Sequence, residues 1–214
     1  MNPSIEIVPI ELAGHGSRIG QPLYEDVQKA AVDISNHIQN KRLPDCSYAI
    51  LGHSLGSLLA YETYYELKKR DAKLPLHMFF TGGQPPQGRE GNKTSHLLPD
   101  DAFLAHVYGY GATSREFMEN KELQQLFLPI LKNDFKLTET YKYQPKQNKI
   151  QCDITIVNGN EDLSIRDYDM NIWEDCTSSN ASIQWMHGNH FFLFQDKKSF
   201  VDIINNRLME YVHK

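Results

Sequence analysis

The sequence predicts an α/β fold in which helices flank a mostly parallel β-sheet. Short runs rich in β-branched and aromatic residues alternate along the chain with longer segments of helical periodicity. Strands buried on both faces, as in a parallel sheet, have this continuously apolar composition. The predicted strands are residues 5–10, 48–52, 76–82, 153–159 and 182–186.

The predicted helices are amphipathic. Between the first two strands, apolar residues recur at spacings of three and four and form one face of a helix. They are Leu23, Val27, Ala30, Ala31, Ile34 and Ile38. Residues 55–70 and 196–213 show a similar pattern.

Residues 95–147 interrupt the alternation of strands and helices. Several helix-like segments follow one another there with no strand-like run between them, which predicts an inserted helical lid at about 95–147. Pro129 lies inside the third of these segments. Because proline removes a backbone N–H and its ring clashes with the preceding turn, we expect the helix to end or kink there.

Length, charge and hydropathy restrict the class of protein. A chain of 214 residues can bury one large core, so we expect a single domain over 1–214. The net charge of −5, with Lys and Arg dispersed, gives no basic stripe for nucleic acid. No apolar run approaches the roughly 20 residues of a membrane span, and the first residues lack the features of a signal peptide. We therefore expect a cytoplasmic protein with neither nucleic-acid nor membrane partners.

The three cysteines are Cys46, Cys152 and Cys176. Their wide separation suits neither a disulfide framework nor a clustered metal site. We interpret them as packing residues and expect no metal.

The stretch "YAILGHSLGSLLAYE", residues 48–62, contains a Gly-x-Ser-x-Gly pentapeptide between a strand-like run and a helix-like segment. In an α/β-hydrolase the nucleophilic serine sits on such a sharp turn, and larger side chains at the flanking glycines, here Gly52 and Gly56, would crowd neighbouring backbone. This context predicts Ser54 as the nucleophile. The backbone amide of Leu55 would then face the developing oxyanion.

A serine hydroxyl needs a base, and the base needs an acid that fixes its tautomer. Glu161 and Asp162 follow the run 153–159, and His187 and His190 follow the last predicted strand. We choose His190, because the turn at Gly188 should carry it away from the strand toward the site. We choose Asp162 over Glu161, although adjacent residues differ mainly in direction.

The other histidines have no comparable context, and we expect most of them to be surface or packing residues. They include His15, His37, His53, His96 and His106.

Six segments together resemble the type II thioesterases that accompany nonribosomal peptide and polyketide synthases. They are "IELAGHGSRIGQPLYEDV", "GHSLGSLLAYE", "FFTGGQPP", "HLLPDDAFL", "ELQQLFLPILKNDFKLTETYKY" and "GNHFFL". The chain departs from the family pattern at Ala13 and His15, where Pro and Arg are usual, and at Asn189, where a second Gly is usual. Neither departure removes a catalytic group.

The resemblance implies an α/β-hydrolase fold and the triad Ser54, Asp162 and His190. It also implies hydrolysis of acyl groups from the phosphopantetheine arm of acyl or peptidyl carrier proteins, with no cofactor of the enzyme's own. Aromatic and Met residues of the predicted lid are candidates to line an acyl channel, with the core of the lid as the alternative role. These residues are Phe103, Phe117, Met118 and Phe127.

Members of this family begin with a further strand, which ends in a loop resembling Pro-Tyr-Ala-Gly-Gly. That strand lies between those equivalent to 5–10 and 48–52, and the chain as written starts after it. The strand at 5–10 must then pair elsewhere, slide inward or leave backbone groups unsatisfied. The loop also supplies one of two oxyanion amides, and losing one donor typically costs about 10² to 10³ in turnover. A misplaced start, a segment on another chain and a natural short form are the explanations, of which we favour the first.

Two other functions also agree with the sequence. One is hydrolysis of soluble acyl-CoA or small esters by the same triad. The other is a catalytically impaired protein that binds carrier domains and lacks the oxyanion loop.

Overall fold

The computed structural model of the chain describes residues 1–42, 46–109, 117 and 120–212. In this part of the chain four parallel strands form one sheet in the order β1-β2-β3-β4, which confirms the predicted α/β fold class. The strands are β1 Ala49–His53, β2 His77–Thr81, β3 Asp153–Gly159 and β4 Ala181–Met186. Each lies within one or two residues of a predicted run.

Helices follow most strands and cover both faces of the sheet. The α-helices of the described residues are α1 Val27–Lys41, α2 Leu55–Lys69, α3 Asp100–Tyr108, α4 Lys121–Thr140, α5 Phe192–Gln195 and α6 Lys197–Val212. Short 3-10 helices occupy Gly16–Arg18, Pro86–Gly88, Ser95–Leu97 and Met170–Cys176. Helix α1 begins after Asp26, whose carboxylate accepts a hydrogen bond from the N–H of Lys29 at 2.7 Å.

The sheet is buried on both faces, as its apolar strands predict. Phe79 and Phe80 are adjacent in β2 and therefore point to opposite faces. Phe80 stacks on Trp173 with ring centroids 4.3 Å apart, on the face that α2 covers. Phe79 packs on the other face with Phe192 and with Phe200 of α6. Both phenylalanines are almost fully buried.

The prediction of a strand at residues 5–10 is wrong. Among the described residues no ladder joins this segment to the sheet, and Ile7 and Val8 are 65 % and 48 % exposed. Within the described ranges strand β1 pairs with β2 alone, at the edge of the sheet, and its Leu51 is 46 % exposed. Because a strand needs a hydrogen-bonding neighbour, the apolar sequence of 5–10 is not enough to form one.

The region between β2 and β3 contains α3 and α4, as the predicted run of helices requires. Pro129 does not end α4, which continues from Lys121 to Thr140. An interior proline costs a helix roughly 3 kcal/mol. Leu128 and Ile130 are buried on either side of the proline, and Leu137 is buried about two turns later, so packing offsets that cost.

The three cysteines differ in burial. Cys176 is buried in the core and Cys152 is partly buried against it, in accord with packing roles. Cys46 is exposed, so its prediction as a packing residue is wrong.

None of the helices in the described ranges has the length and apolar character needed to cross a membrane.

Candidate active site

Ser54 occupies a strained turn between β1 and α2. Its φ of 56° lies in the left-handed region, which is uncommon for a residue with a side chain. Two hydrogen bonds hold the turn: the N–H of Ser54 donates to the carbonyl of Thr81 at 2.8 Å, and that of Ser57 donates to the carbonyl of Ser54 at 3.0 Å. Leu55 is the first residue of α2, so its N–H belongs to the helix turn that has no intrahelical acceptor.

The two glycines of the pentapeptide have different roles. A Cβ on Gly52 would lie 2.0 Å from the carbonyl oxygen of Gly56, so β1 and α2 meet this closely only with glycine there. A Cβ on Gly56 would meet no atom within 4 Å. The expectation that both glycines avoid crowding is therefore correct for Gly52 and wrong for Gly56.

Ser57 and Thr81 join the turn to the neighbouring strand. Both are fully buried. The Ser57 hydroxyl lies 2.9 Å from the carbonyl oxygens of Gly52 and Thr81 and accepts a hydrogen bond from the N–H of Thr81 at 3.0 Å. Sequence reasoning missed both residues, because nothing local distinguishes a buried hydroxyl from an exposed one.

Asp162 and His190 form a buried pair at the carboxyl ends of β3 and β4. Nδ1 of His190 lies 2.8 Å from Oδ2 of Asp162. Since a carboxylate only accepts, Nδ1 carries the proton and Nε2 carries the lone pair that a general base needs. The other carboxylate oxygen accepts from the N–H and hydroxyl of Ser164 at 2.9 and 2.6 Å.

These hydrogen bonds determine the charge of Asp162. Burial alone would raise its pKa, but the bonds from His190 and Ser164 hold the pKa below its usual range. The carboxylate therefore stays ionised at neutral pH. Ser164, which sequence reasoning missed, lies two residues after the carboxylate that it supports.

The alternative pair, Glu161 and His187, lies on the surface. Their side chains are 59 % and 86 % exposed, and His187 Nδ1 lies 3.5 Å from Glu161 Oε1. The two adjacent acids thus lie in different surroundings. Residue type and spacing could not predict which of the two would be buried.

Two loops that follow β3 and β4 are bonded to each other. The N–H of Glu161 donates to the carbonyl of Gly188 at 2.9 Å, and the N–H of Gly188 donates to the side chain of Asn160 at 3.2 Å. Gly188 has a φ of 127°, which disfavours any residue with a side chain. Asn189, at the position where the resemblance expected glycine, accepts from the N–H of Phe191 at 2.9 Å.

His53 packs against His190, a contact that no signal in the sequence indicated. Its ring centroid is 4.9 Å from that of His190, and a Cβ on Gly82 would lie within 3.4 Å of both rings. Nδ1 of His53 is 2.9 Å from the hydroxyl of Thr81. Among the described residues its buried Nε2 has no hydrogen-bond partner.

His53 is neutral at pH 7. Burial, and secondarily the neighbouring His190, lower its pKa to about 4. A neutral ring at this place lets His190 accept a proton without facing a second cation. Since His53 directly precedes Ser54, the same contact places His190 beside the turn of Ser54.

Two other histidines pair with acids of α4. His15 lies 2.9 Å from Asp134, and its hydrogen bond to that carboxylate raises its pKa. His96 is bonded to Glu139. Both contacts connect α4 to segments that lie before it in the chain.

The four candidate acyl-binding residues lie in different surroundings. Phe103 is fully buried in a core with Leu104, Val107 and Leu128, and Phe117 packs partly against that core. Phe127 is 38 % exposed. Met118 lies outside the described residues. Within the described ranges no group of three or more His, Cys, Asp or Glu residues is arranged to hold a metal ion.

Comparison with known proteins gives the family. A family model described as the thioesterase domain matches residues 1–208. Linear gramicidin dehydrogenase LgrE of Brevibacillus parabrevis is 30 % identical over 213 residues, which are 97 % of this chain and 79 % of LgrE.

Two solved structures share the fold over most of their length. ClbQ from the colibactin NRPS/PKS pathway has a TM-score of 0.86 and 31 % identity, over 94 % of this chain and 84 % of ClbQ. YbtT, a type II thioesterase from the yersiniabactin NRPS/PKS pathway, has a TM-score of 0.80 and 25 % identity, over 92 % of this chain and 79 % of YbtT.

The two glycines provide a matched pair of stability variants. Gly52→Ala places a methyl group against backbone, an overpacking that costs about 1–3 kcal/mol or more, so the melting temperature should fall by roughly 5–10 °C. Gly56→Ala should leave it unchanged or raise it by about 2 °C, because alanine favours the helix. Thermal unfolding followed by circular dichroism measures both. Equal destabilisation by the two variants would contradict the asymmetry.

The low pKa of His53 predicts acid sensitivity. Between pH 6.5 and about 4 the unfolded chain binds a proton at this residue that the native protein does not bind. The free energy of unfolding should therefore decrease as the pH is lowered through this range. His53 contributes up to about 1.4 kcal/mol per pH unit and roughly 3 kcal/mol in total.

Denaturant titrations across that window test this contribution. In His53→Gln the slope of unfolding free energy against pH should be smaller by about 1.4 kcal/mol per unit, whatever the variant's absolute stability. An unchanged slope would show that His53 is not buried as a neutral ring.

Proposed function

Because the chain belongs to the thioesterase domain family, we propose that it hydrolyses acyl thioesters on the phosphopantetheine arm of acyl or peptidyl carrier proteins, with Ser54 as the nucleophile. The observation that carries this proposal is the buried His190–Asp162 pair beside the strained turn of Ser54. A base fixed by an acid next to a serine on a strand-to-helix turn is the arrangement that acyl transfer requires.

The proposed reaction has two halves. Nε2 of His190 takes the proton of the Ser54 hydroxyl as its oxygen attacks the thioester carbonyl, and the backbone N–H of Leu55 stabilises the oxyanion. The C–S bond then breaks, and the pantetheine thiolate receives the proton from His190. Water attacks the acyl-serine with the same imidazole as base, which releases the carboxylic acid and restores Ser54.

The positive charge that forms on His190 during the reaction is stabilised by its neighbours. Asp162 stays ionised and faces the imidazolium that forms on His190. The neutral ring of His53 lies on another side of His190 and adds no repulsion. This division of charge supports a base that cycles between neutral and protonated forms.

We further propose that α3 and α4 form a lid over this site within a single domain. Phe103 then belongs to the core of the lid, since it is fully buried there. The proposed acyl contacts are Phe127, which is partly exposed, Phe117, whose ring centroid lies 6.5 Å from that of Phe127, and Met118. A lid of this kind would exclude water while the acyl chain is bound.

Removal of misprimed or stalled acyl groups from synthases is the proposed role. It is supported by the NRPS/PKS pathways named for ClbQ and YbtT. A carrier protein would bring its own phosphopantetheine, so the enzyme needs no cofactor. The proposed location is the cytoplasm, in agreement with the sequence expectation.

Thiol release from acyl-carrier protein and from the matching acyl-CoA tests the proposal. Ser54→Ala and His190→Gln should lose roughly 10⁶-fold in turnover, and Asp162→Asn about 10⁴-fold. The exposed neighbours supply matched controls: Glu161→Gln and His187→Gln should stay within about three-fold of wild type.

The two substrates separate the competing functions. Faster release from the carrier supports editing, whereas faster release from acyl-CoA supports a hydrolase of soluble thioesters. Carrier binding without release that depends on Ser54 would contradict catalysis and support a binding protein.

A further inference from the structure

A pocket of the described residues has neither Ser54 nor Asp162 nor His190 in its lining. Its volume is about 170 Å³, and it lies between the loop 84–93, the last turns of α4 and Tyr168. The side chains that matter for its chemistry are Arg89, Lys93, Glu90 and Glu139. No step of the proposed reaction uses them.

Arg89 is a buried cation that has no carboxylate partner among the residues that the structure describes. It is 7 % exposed, and the nearest polar contact of its Nη2 is the carbonyl of Gln84 at 3.5 Å. Its buried Nε has no hydrogen-bond partner among the described residues. Burial lowers the pKa of Arg89 to about 10, so the guanidinium remains charged at neutral pH. An unpaired buried charge is costly, so an anion that paired with the guanidinium would stabilise the protein.

Lys93 adds a second cation to the same pocket. In the described part of the chain no carboxylate lies within 4.0 Å of its Nζ, which instead donates to the hydroxyl of Tyr168 at 2.8 Å. The ammonium also lies 5.4 Å from the centroid of the Tyr168 ring. It is exposed, so it can turn toward a ligand at little cost.

The acidic residues of the pocket are already engaged. Glu139 accepts from the N–H and hydroxyl of Ser95 and from the N–H and ring of His96. Glu90 accepts from the side chain of Asn92 at 2.8 Å. Neither forms an ion pair with Arg89 or Lys93 within the described residues, so both cations remain available to an external anion.

We propose that this pocket binds a phosphate-type oxyanion, with Arg89 as a two-pronged donor and Lys93 as a second charge. The planar guanidinium presents paired N–H groups whose spacing matches two oxygens of a phosphate. The anion is either free phosphate or the phosphodiester of a phosphopantetheine arm. The second assignment rests on the proposed function, whereas the first does not.

Thermal shift and titration calorimetry measure how the full chain binds inorganic phosphate, 4′-phosphopantetheine and pantetheine. Sodium chloride of equal ionic strength is the control. Wild type should be stabilised by the two phosphate compounds and not by pantetheine. Arg89→Met, of similar volume, should lose affinity at least ten-fold. Without phosphate its melting temperature should equal or exceed that of wild type, because the unpaired charge is gone.

Lys93→Gln and Lys149→Gln form a matched pair that changes net charge equally. Lys93→Gln should weaken phosphate binding several-fold, and Lys149→Gln, an exposed residue paired with Asp175, should not. If 4′-phosphopantetheine binds more tightly than phosphate, the ligand of the pocket is the phosphopantetheine arm. If the two bind equally, the ligand is a free anion. No specific stabilisation of wild type by either compound, or an equal response of Arg89→Met, overturns the site.

These results are independent of catalysis. Binding is measured equally well on Ser54→Ala, so an inactive protein can still bind phosphate, and an active one can fail to bind it. Failure of the pocket and failure of the proposed hydrolysis are therefore distinguishable.

Discussion

The hydrogen bond between His190 and Asp162 is the interaction on which the proposed chemistry depends. It fixes the proton on Nδ1 and so leaves the lone pair on Nε2. The parallel register brings both residues to one rim, because β3 and β4 end together at the pair Gly159 and Met186. The Ser54 turn reaches the same rim, because β1 and β2 also end together, at His53 and Thr81. Sheet topology thus assembles groups that lie more than a hundred residues apart in the chain.

Local patterns were enough to predict the fold class and four of five strands, and the failures were non-local. Residues 5–10 have the composition of a strand, yet no ladder joins them to the sheet in the part of the chain that the structure describes. Pro129 has the chemistry of a helix breaker, yet α4 continues through it because side chains on both sides are buried. Composition reports the preference of a segment, whereas pairing and burial decide the outcome.

At the site, the sequence identified the candidate residue types and the loops that carry them. The structure then distinguished between neighbouring candidates by their burial and contacts. Glu161 and Asp162 are equivalent by spacing, but only the second is buried against an imidazole. Gly52 and Gly56 match one motif, but only the first meets backbone. The role of His53 could not be predicted, because it depends on a contact with a residue 137 positions later, His190. Directions and long-range contacts of this kind are not encoded in any short window.

Covalent labelling by a fluorophosphonate tests the central claim most directly, because the reagent reports the reactivity of a serine activated by its base. Peptide mapping of the wild-type protein should locate the adduct on Ser54. The labelling rate should fall by at least about 10²-fold in Asp162→Asn and remain unchanged in Glu161→Gln. An adduct on another residue, or equal labelling rates for wild type and Asp162→Asn, would contradict an imidazole held by Asp162 as the base for Ser54.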